Sequence, residues 1–332
     1  MSVNTYSTAE KFASGAATVA KLAWTRADVA ADRSWSVPLP AEVIAEFKGY
    51  LAGVADPAAL IDTIERSDVD LPHLAAFSVR LREQLFERFG FVLVTGLADG
   101  GFSEDEQRLF YVLTSLHLGE MLTPYGRLHE VADRGYDYRS SDVSVSKTRV
   151  KAPFHTDSTS KKVFPNVFGL HCLRPAMEGG RSLLVSACQV YRQIAEETPE
   201  HLPALFKDHY RNTVTPGDEA IPVSENAYPI FTWDEYASGP TFRYMRHWIE
   251  VAYEKLGEEI LPEDAAAFDR LEAVLADEDN VFGLTLAAGE TIFINNGVVA
   301  HNRTEFTDFP EPHRRRLLAR AWLRVPTGSE GI

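Results

Sequence analysis

The chain has 332 residues, 45% hydrophobic and 24% charged, with ordinary numbers of Gly (21) and Pro (18), which excludes a disordered or collagen-like polymer. Its 33 Lys+Arg against 48 Asp+Glu leave a net charge of −15, a surface that repels phosphate and argues against a nucleic-acid partner. Two cysteines, Cys172 and Cys188, cannot staple a chain this long, so a reducing, cytoplasmic setting is expected, with neither a secretion signal nor a membrane-spanning apolar run.

Residues 1–38, rich in Ala, Ser and Thr, are expected to form a peripheral N-terminal arm on a single catalytic domain spanning 1–332. Apolar residues recur at three- and four-residue spacing over 41–51 and 74–89, predicting two amphipathic helices, the second stopped by Gly90. The run FVLVT over 91–95 predicts a buried strand, and Ser103 with Glu106 forms a capping box opening a helix that Gly119 closes. From 123 to 149 the sequence turns polar and irregular, which marks a candidate active-site lid. Strand-like runs follow at 167–173, 182–186, 241–245, 281–286, 291–294 and 317–323. Helical stretches interrupt them at 188–208, broken around Pro199, and within a helical insertion at 246–278. These strands do not alternate with helices as βαβ units would. The fold class expected is mixed α/β with an all-β core, a jelly-roll or barrel with flanking and inserted helices.

The chemistry centres on Phe154-His155-Thr156-Asp157-Ser158. In a strand, residues two apart share a face, so the His155 imidazole and the Asp157 carboxylate can converge on one cation. A third ligand is offered by His301, which follows the strand-like TIFI and the turn NNGVVA. Two histidines and one carboxylate suit a non-haem Fe(II) oxygenase with three open positions, although the same donors also build catalytic zinc sites. Further on, HRRRLLARAWL puts Arg316, Leu318 and Arg320 on one strand face and Leu317 and Ala319 on the other. An arginine pointing into a barrel needs a counter-charge, and a guanidinium fits a carboxylate bidentately, as at the far end of a dicarboxylic cosubstrate.

Taken in order, FHTDS, GGRSLLVS, NNGVVAHNRTEF and RRRLLARAWL resemble the Fe(II)- and 2-oxoglutarate-dependent dioxygenases of the taurine dioxygenase and clavaminate synthase type, over roughly residues 85–325. The resemblance implies a double-stranded β-helix, cupin-like, with iron at one open end. It implies that His155, Asp157 and His301 bind Fe(II), that Arg316 and Ser182 hold the distal carboxylate of 2-oxoglutarate, and that Arg320 assists cosubstrate or substrate. Halogenating relatives lack the carboxylate that Asp157 supplies, so hydroxylation is expected, with desaturation or cyclisation by the same oxidant as alternatives. O2 is then the second cosubstrate, and succinate and CO2 the coproducts.

By analogy with clavaminate-type relatives, a free or modified amino acid in secondary metabolism is the expected small-molecule substrate. Tyr125, Arg127 and Asp142 of the polar 123–149 stretch, together with Arg320, are the residues expected to read it, with Asp137 and Arg139 nearby. Taurine-type relatives suggest a sulfonate or other small anion instead. His171 reads as a core histidine, His129 and His247 as surface groups, Cys172 and Cys188 as buried hydrophobes, and Gly179-Gly180 as a hairpin turn. Two rival readings of the barrel are a zinc hydrolase and a non-catalytic cupin-like binding protein.

Overall fold

A computed structural model describes residues 19, 22–140, 143–215, 221–233 and 240–326. Two β-sheets face each other across an apolar core. The larger is built from β1 (Ser36–Pro38), β2 (Phe91–Thr95), β3 (Glu120–Leu122), β4 (His129–Val131), β5 (Val167–Arg174), β8 (Thr291–Asn295) and β10 (Leu317–Arg324). The smaller comprises β6 (Ser182–Ser186) flanked by β7 (Phe282–Leu284) and β9 (Val299–Arg303). The larger sheet runs β1-β2-β8-β5-β10-β3, with β4 also on β10, and all its pairings are antiparallel except β1 with β2. The smaller sheet is antiparallel throughout.

Period-two alternation sorts the side chains. Phe91, Phe168, Ile292, Ile294, Leu318 and Trp322 of the larger sheet meet Leu184, Leu284 and Val299 of the smaller one in the inter-sheet core. The intervening Val92, Val94, Phe293, Leu317, Ala319, Ala321 and Leu323 point outward and bury against helices Pro72–Glu87 and Glu104–Leu118. Helices Ala187–Glu197 and Pro262–Leu275 cover the outer face of the smaller sheet through Cys188, Ile194, Phe268 and Leu271 on Val185 and Ala300. The result is a helix–sheet–sheet–helix stack.

Helix Ala41–Leu51, strand Phe91–Thr95 and the Ser103/Glu106 capping box stand where the sequence puts them. The 246–278 stretch divides into Arg246–Leu256 and Pro262–Leu275, because Gly257 turns left-handed at φ 68° and Pro262 starts a new first turn. The described part of 1–38 is more firmly held than an arm attached only at the periphery. Val19, Leu22, Trp24, Val29 and Trp35 are buried, Trp24 Nε1 donates to the Phe89 carbonyl at 2.7 Å, and Ser36–Pro38 extends the larger sheet. Gly169 in β5 is required by close approach: a Cβ there would lie 2.4 Å from Tyr111 Oη, the hydroxyl that accepts the Ala321 N–H at 3.0 Å. Among the described residues no helix is long and apolar enough to cross a membrane.

Candidate active site

His155 and His301 pair directly, each backbone N–H donating to the other's carbonyl at 2.9 Å, and their rings stand 4.2 Å apart. This bridge continues the ladder from β9 toward the FHTDS segment, so two residues distant in sequence become cross-strand neighbours. The Asp157 backbone is clamped by Asn296, whose Oδ1 accepts its N–H at 2.7 Å and whose Nδ2 donates to its carbonyl at 2.9 Å. Immediately after, Ser158 adopts a left-handed backbone at φ 73°, turning the chain away while its hydroxyl donates to the Val163 carbonyl.

The three side chains bring one ligand atom each within 4.8 Å of one another. Asp157 Oδ1 lies 3.6 Å from His301 Nε2 and 3.9 Å from His155 Nε2, spacings that one cation can bridge. His155 Nδ1 is 2.9 Å from the Pro153 carbonyl, which fixes the proton there and turns the Nε2 lone pair to the cluster. Burial, with the adjacent His301, pushes the His155 imidazole down to about 3, so it is neutral and able to ligate at physiological pH. For Asp157, burial raises the carboxyl's pKa, but Arg320 and the two imidazoles outweigh it and hold the group well below the usual carboxylate range. Its second oxygen, Oδ2, takes Trp322 Nε1–H at 2.6 Å and Arg320 Nη1 at 3.2 Å.

Arg316, immediately before β10, and Arg320, within it, project into the inter-sheet space, as the period of two predicts. Arg316 is buried over the Phe306 ring at 4.9 Å, and its Nη1 has no hydrogen-bond partner. Burial, with Arg303 nearby, pushes its guanidinium down to about 9. A buried guanidinium with an unpartnered Nη1 and a cluster of anionic and neutral donors fit a divalent metal with a dicarboxylate beside it. The Gly179–Gly180 turn makes room for this arginine: at φ 65°, Gly180 presents a bare Cα to Arg316 Nε, which a Cβ would meet at 3.3 Å. Two residues on, Ser182 opens β6 in register with Arg303 and Leu284. Arg320 lies between Tyr125 and Trp322, its guanidinium carbon 5.3 and 5.1 Å from their rings, with buried Nε and Nη2 unpaired.

The cluster opens into a narrow pocket of about 30 Å³ lined by Tyr125, Thr156, Thr215, Trp248, Arg320 and Trp322. Through Tyr125, Ser144 and Val214 it meets an outer cleft of about 600 Å³, where Lys147, Asn212 and Lys255 provide the polar groups. No Asp or Glu is among the described residues of that cleft wall. Tyr125 is thus brought to the site, but Arg127 is not. Its guanidinium turns to the Ile64 carbonyl and Glu65, a tether that satisfies it away from the pocket. Asp137 and Arg139 pair with each other in the open, and Asp142 lies outside the described residues. His171 is a core residue, stacked on Tyr111 with Nδ1 2.8 Å from Thr291 Oγ1. His129, read as a surface group, is instead half-buried, 4.7 Å from the Tyr125 ring and in register with Arg320. Trp322 and Asn296 were missed, although Trp322 shares the Arg316/Arg320 face by the same alternation and Asn296 adjoins the strand end that leads to His301.

A family model described as taurine catabolism dioxygenase TauD, TfdA family, matches residues 55–322. FR-33289 synthase of Streptomyces rubellomurinus (strain ATCC 31215) is 25% identical over 317 residues, covering 92% of this chain and 90% of that protein. Uridine-5'-phosphate dioxygenase of a Streptomyces species is 31% identical over 193 residues, covering 54% of this chain and 64% of that protein. The fold is similar to that of asparagine oxygenase (TM-score 0.62, 18% identity, 88% of this chain and 93% of that one). It is equally similar to that of the non-haem iron oxygenase OrfP crystallised with Fe, succinate and (3S)-hydroxy-L-Arg (TM-score 0.62, 17% identity, 87% and 94%).

Proposed function

Because the chain belongs to the TauD/TfdA family of non-haem iron, 2-oxoglutarate-dependent dioxygenases, we propose that it hydroxylates an unactivated C–H bond of a small anionic molecule. The observation that carries this reading is the buried Arg316, its Nη1 without a partner, on the same inner face as the convergent His155, Asp157 and His301. In this reading the core is a double-stranded β-helix. His155, Asp157 and His301 hold Fe(II), Arg316 receives the distal carboxylate of 2-oxoglutarate with Ser182 beside it, and Arg320 offers its free edge to a carboxylate of cosubstrate or substrate. Bound iron supplies O2 activation coupled to decarboxylation of 2-oxoglutarate to succinate and CO2. The chain's own part is to keep His155 neutral, hold Asp157 ionised, neutralise the cosubstrate's charge and keep water from the narrow pocket.

Substrate class follows from the cleft. The described cleft wall offers Lys147, a cation that an anionic group of a substrate can meet. This supports a substrate that bears a phosphate, sulfonate or carboxylate, in keeping with the phosphate in the name of the 31%-identical relative. Tyr125, Ser144 and Val145 bring residues 123–149 into the pocket wall, which supports their role as a lid on a single catalytic domain. Two free, buried thiols, Cys172 and Cys188, support a cytoplasmic setting.

The test is succinate release from 2-oxoglutarate by the Fe(II)-loaded enzyme across a panel of nucleoside monophosphates, sulfonates and free amino acids. Release above the uncoupled background is expected with the anions. Coupling confined to free amino acids would overturn the substrate class.

A further inference from the structure

We propose that Trp322 is a positioning residue of the metal centre, holding Asp157 so that it offers one oxygen to the metal; the inference rests on the metal-site reading above. A carboxylate has two equivalent oxygens and can swing to chelate with both. In a centre with three protein ligands, chelation would fill one of the three positions that cosubstrate and O2 require. The structure divides the two oxygens of Asp157. Oδ1 faces the imidazoles at 3.6 and 3.9 Å, whereas Oδ2 is engaged by Trp322 at 2.6 Å and Arg320 at 3.2 Å.

The two donors are not alike. Arg320 has Nε and Nη2 unpaired in addition to its contact with Asp157, so it has donors left for an arriving anion. Trp322 has a single N–H, and its indole is buried in the inter-sheet core with Phe168 and Leu318, edge-on to Tyr125 at 5.2 Å. Its side chain is fixed by packing and its one donor lies on Asp157, so it sets the carboxylate whatever Arg320 does. The residue that turns Asp157 is thereby built into the strand that carries Arg320 and follows Arg316.

The experiment is an anaerobic titration of metal-free protein with Fe(II) against a chromophoric chelator, in wild type, Trp322→Phe, Asp157→Ala and the double variant. Losing a hydrogen bond to a metal ligand should weaken Fe(II) binding roughly 10- to 100-fold in Trp322→Phe. In the Asp157→Ala background the same substitution should change the affinity by less than about twofold, because the group it acts through is gone. Wild-type affinity in Trp322→Phe, or an equal loss in both backgrounds, would overturn the proposal, the second outcome making Trp322 a packing residue only. Should Phe at this position fail to fold, benzothienylalanine in place of Trp322 keeps the ring's shape and deletes only the N–H, and the same loss is expected. Wild-type protein that binds no Fe(II) would remove the metal-site reading itself and is distinct from every outcome above.

Discussion

Replacing Arg316 with Met should strengthen the ligand-free fold and weaken 2-oxoglutarate binding, two effects of opposite sign from one side chain. The guanidinium is buried and its Nη1 unpartnered, and burial pushes its pKa down to about 9. For a base whose folded pKa is lowered, the cost of burying the charge is complete below the folded value, so at pH 7 it is fully present. At about 1.4 kcal/mol per unit, that depression sets a ceiling on the order of 5 kcal/mol, and relaxation with water entry brings the expected gain nearer 1 to 3. Met preserves most of the apolar stem over Phe306. The same substitution deletes a charge-assisted contact of roughly 1.5 to 3 kcal/mol to the cosubstrate, which weakens its binding by about 10- to 150-fold. Thermal unfolding of the metal-loaded, anaerobic protein with and without 2-oxoglutarate reads both effects. Wild type should gain stability with cosubstrate, and Arg316→Met should start higher and gain little. A variant that melts lower than wild type and still responds fully to 2-oxoglutarate would mean that Arg316 neither costs the fold stability nor contacts the cosubstrate.

Asp157→Ala should abolish turnover and lower the iron content of purified protein while the far-UV spectrum stays unchanged; full turnover would take Asp157 out of the mechanism. Lys147→Ala should raise KM for an anionic substrate several-fold with kcat little changed and flatten the salt dependence of kcat/KM, whereas a change in kcat alone would move Lys147 out of substrate recognition. His171, pushed down to about 3 by burial, is neutral in the fold but protonated in the unfolded chain below about 6.5. The unfolded state therefore binds the extra proton, and stability should fall between pH 6.5 and 4.5 by at most roughly 3 kcal/mol on account of this residue. Urea melts of wild type and His171→Gln at the two pH values check it, and equal losses in both would discharge His171 from the effect. Gly169→Ala drives a methyl to 2.4 Å from Tyr111 Oη, and a loss of about 1 to 3 kcal/mol is expected in the same assay; an unchanged midpoint would mean that Tyr111 yields without consequence.

What the sequence made legible was whatever local period or short spacing encodes. The i, i+2 relation put His155 and Asp157 on one face, and alternation from Arg316 to Leu323 separated inward Arg316 and Arg320 from the outward aliphatics. Capping chemistry located helix Glu104–Leu118 to the residue. What it hid depends on long-range closure. Nothing local says that His155 bonds backbone to backbone with His301, or that the Trp322 indole lands on Asp157 rather than on a carbonyl. Arg127 shows the converse: a polar residue in a polar stretch looks like a ligand until a segment some sixty residues upstream, Ile64–Glu65, takes its donors. His129 was misjudged for the same reason, since its neighbours Tyr125 and Arg320 come from different elements.

We propose that the His155/Asp157/His301 cluster and Arg316 together bind Fe(II) and 2-oxoglutarate. Anaerobic addition of both to metal-free protein tests it most directly, through the weak visible charge-transfer band that arises when 2-oxoglutarate chelates the iron. The band should appear in wild type, need much more 2-oxoglutarate in Arg316→Met, and be absent in Asp157→Ala; folded, iron-loaded wild-type protein that develops no band would contradict the assignment.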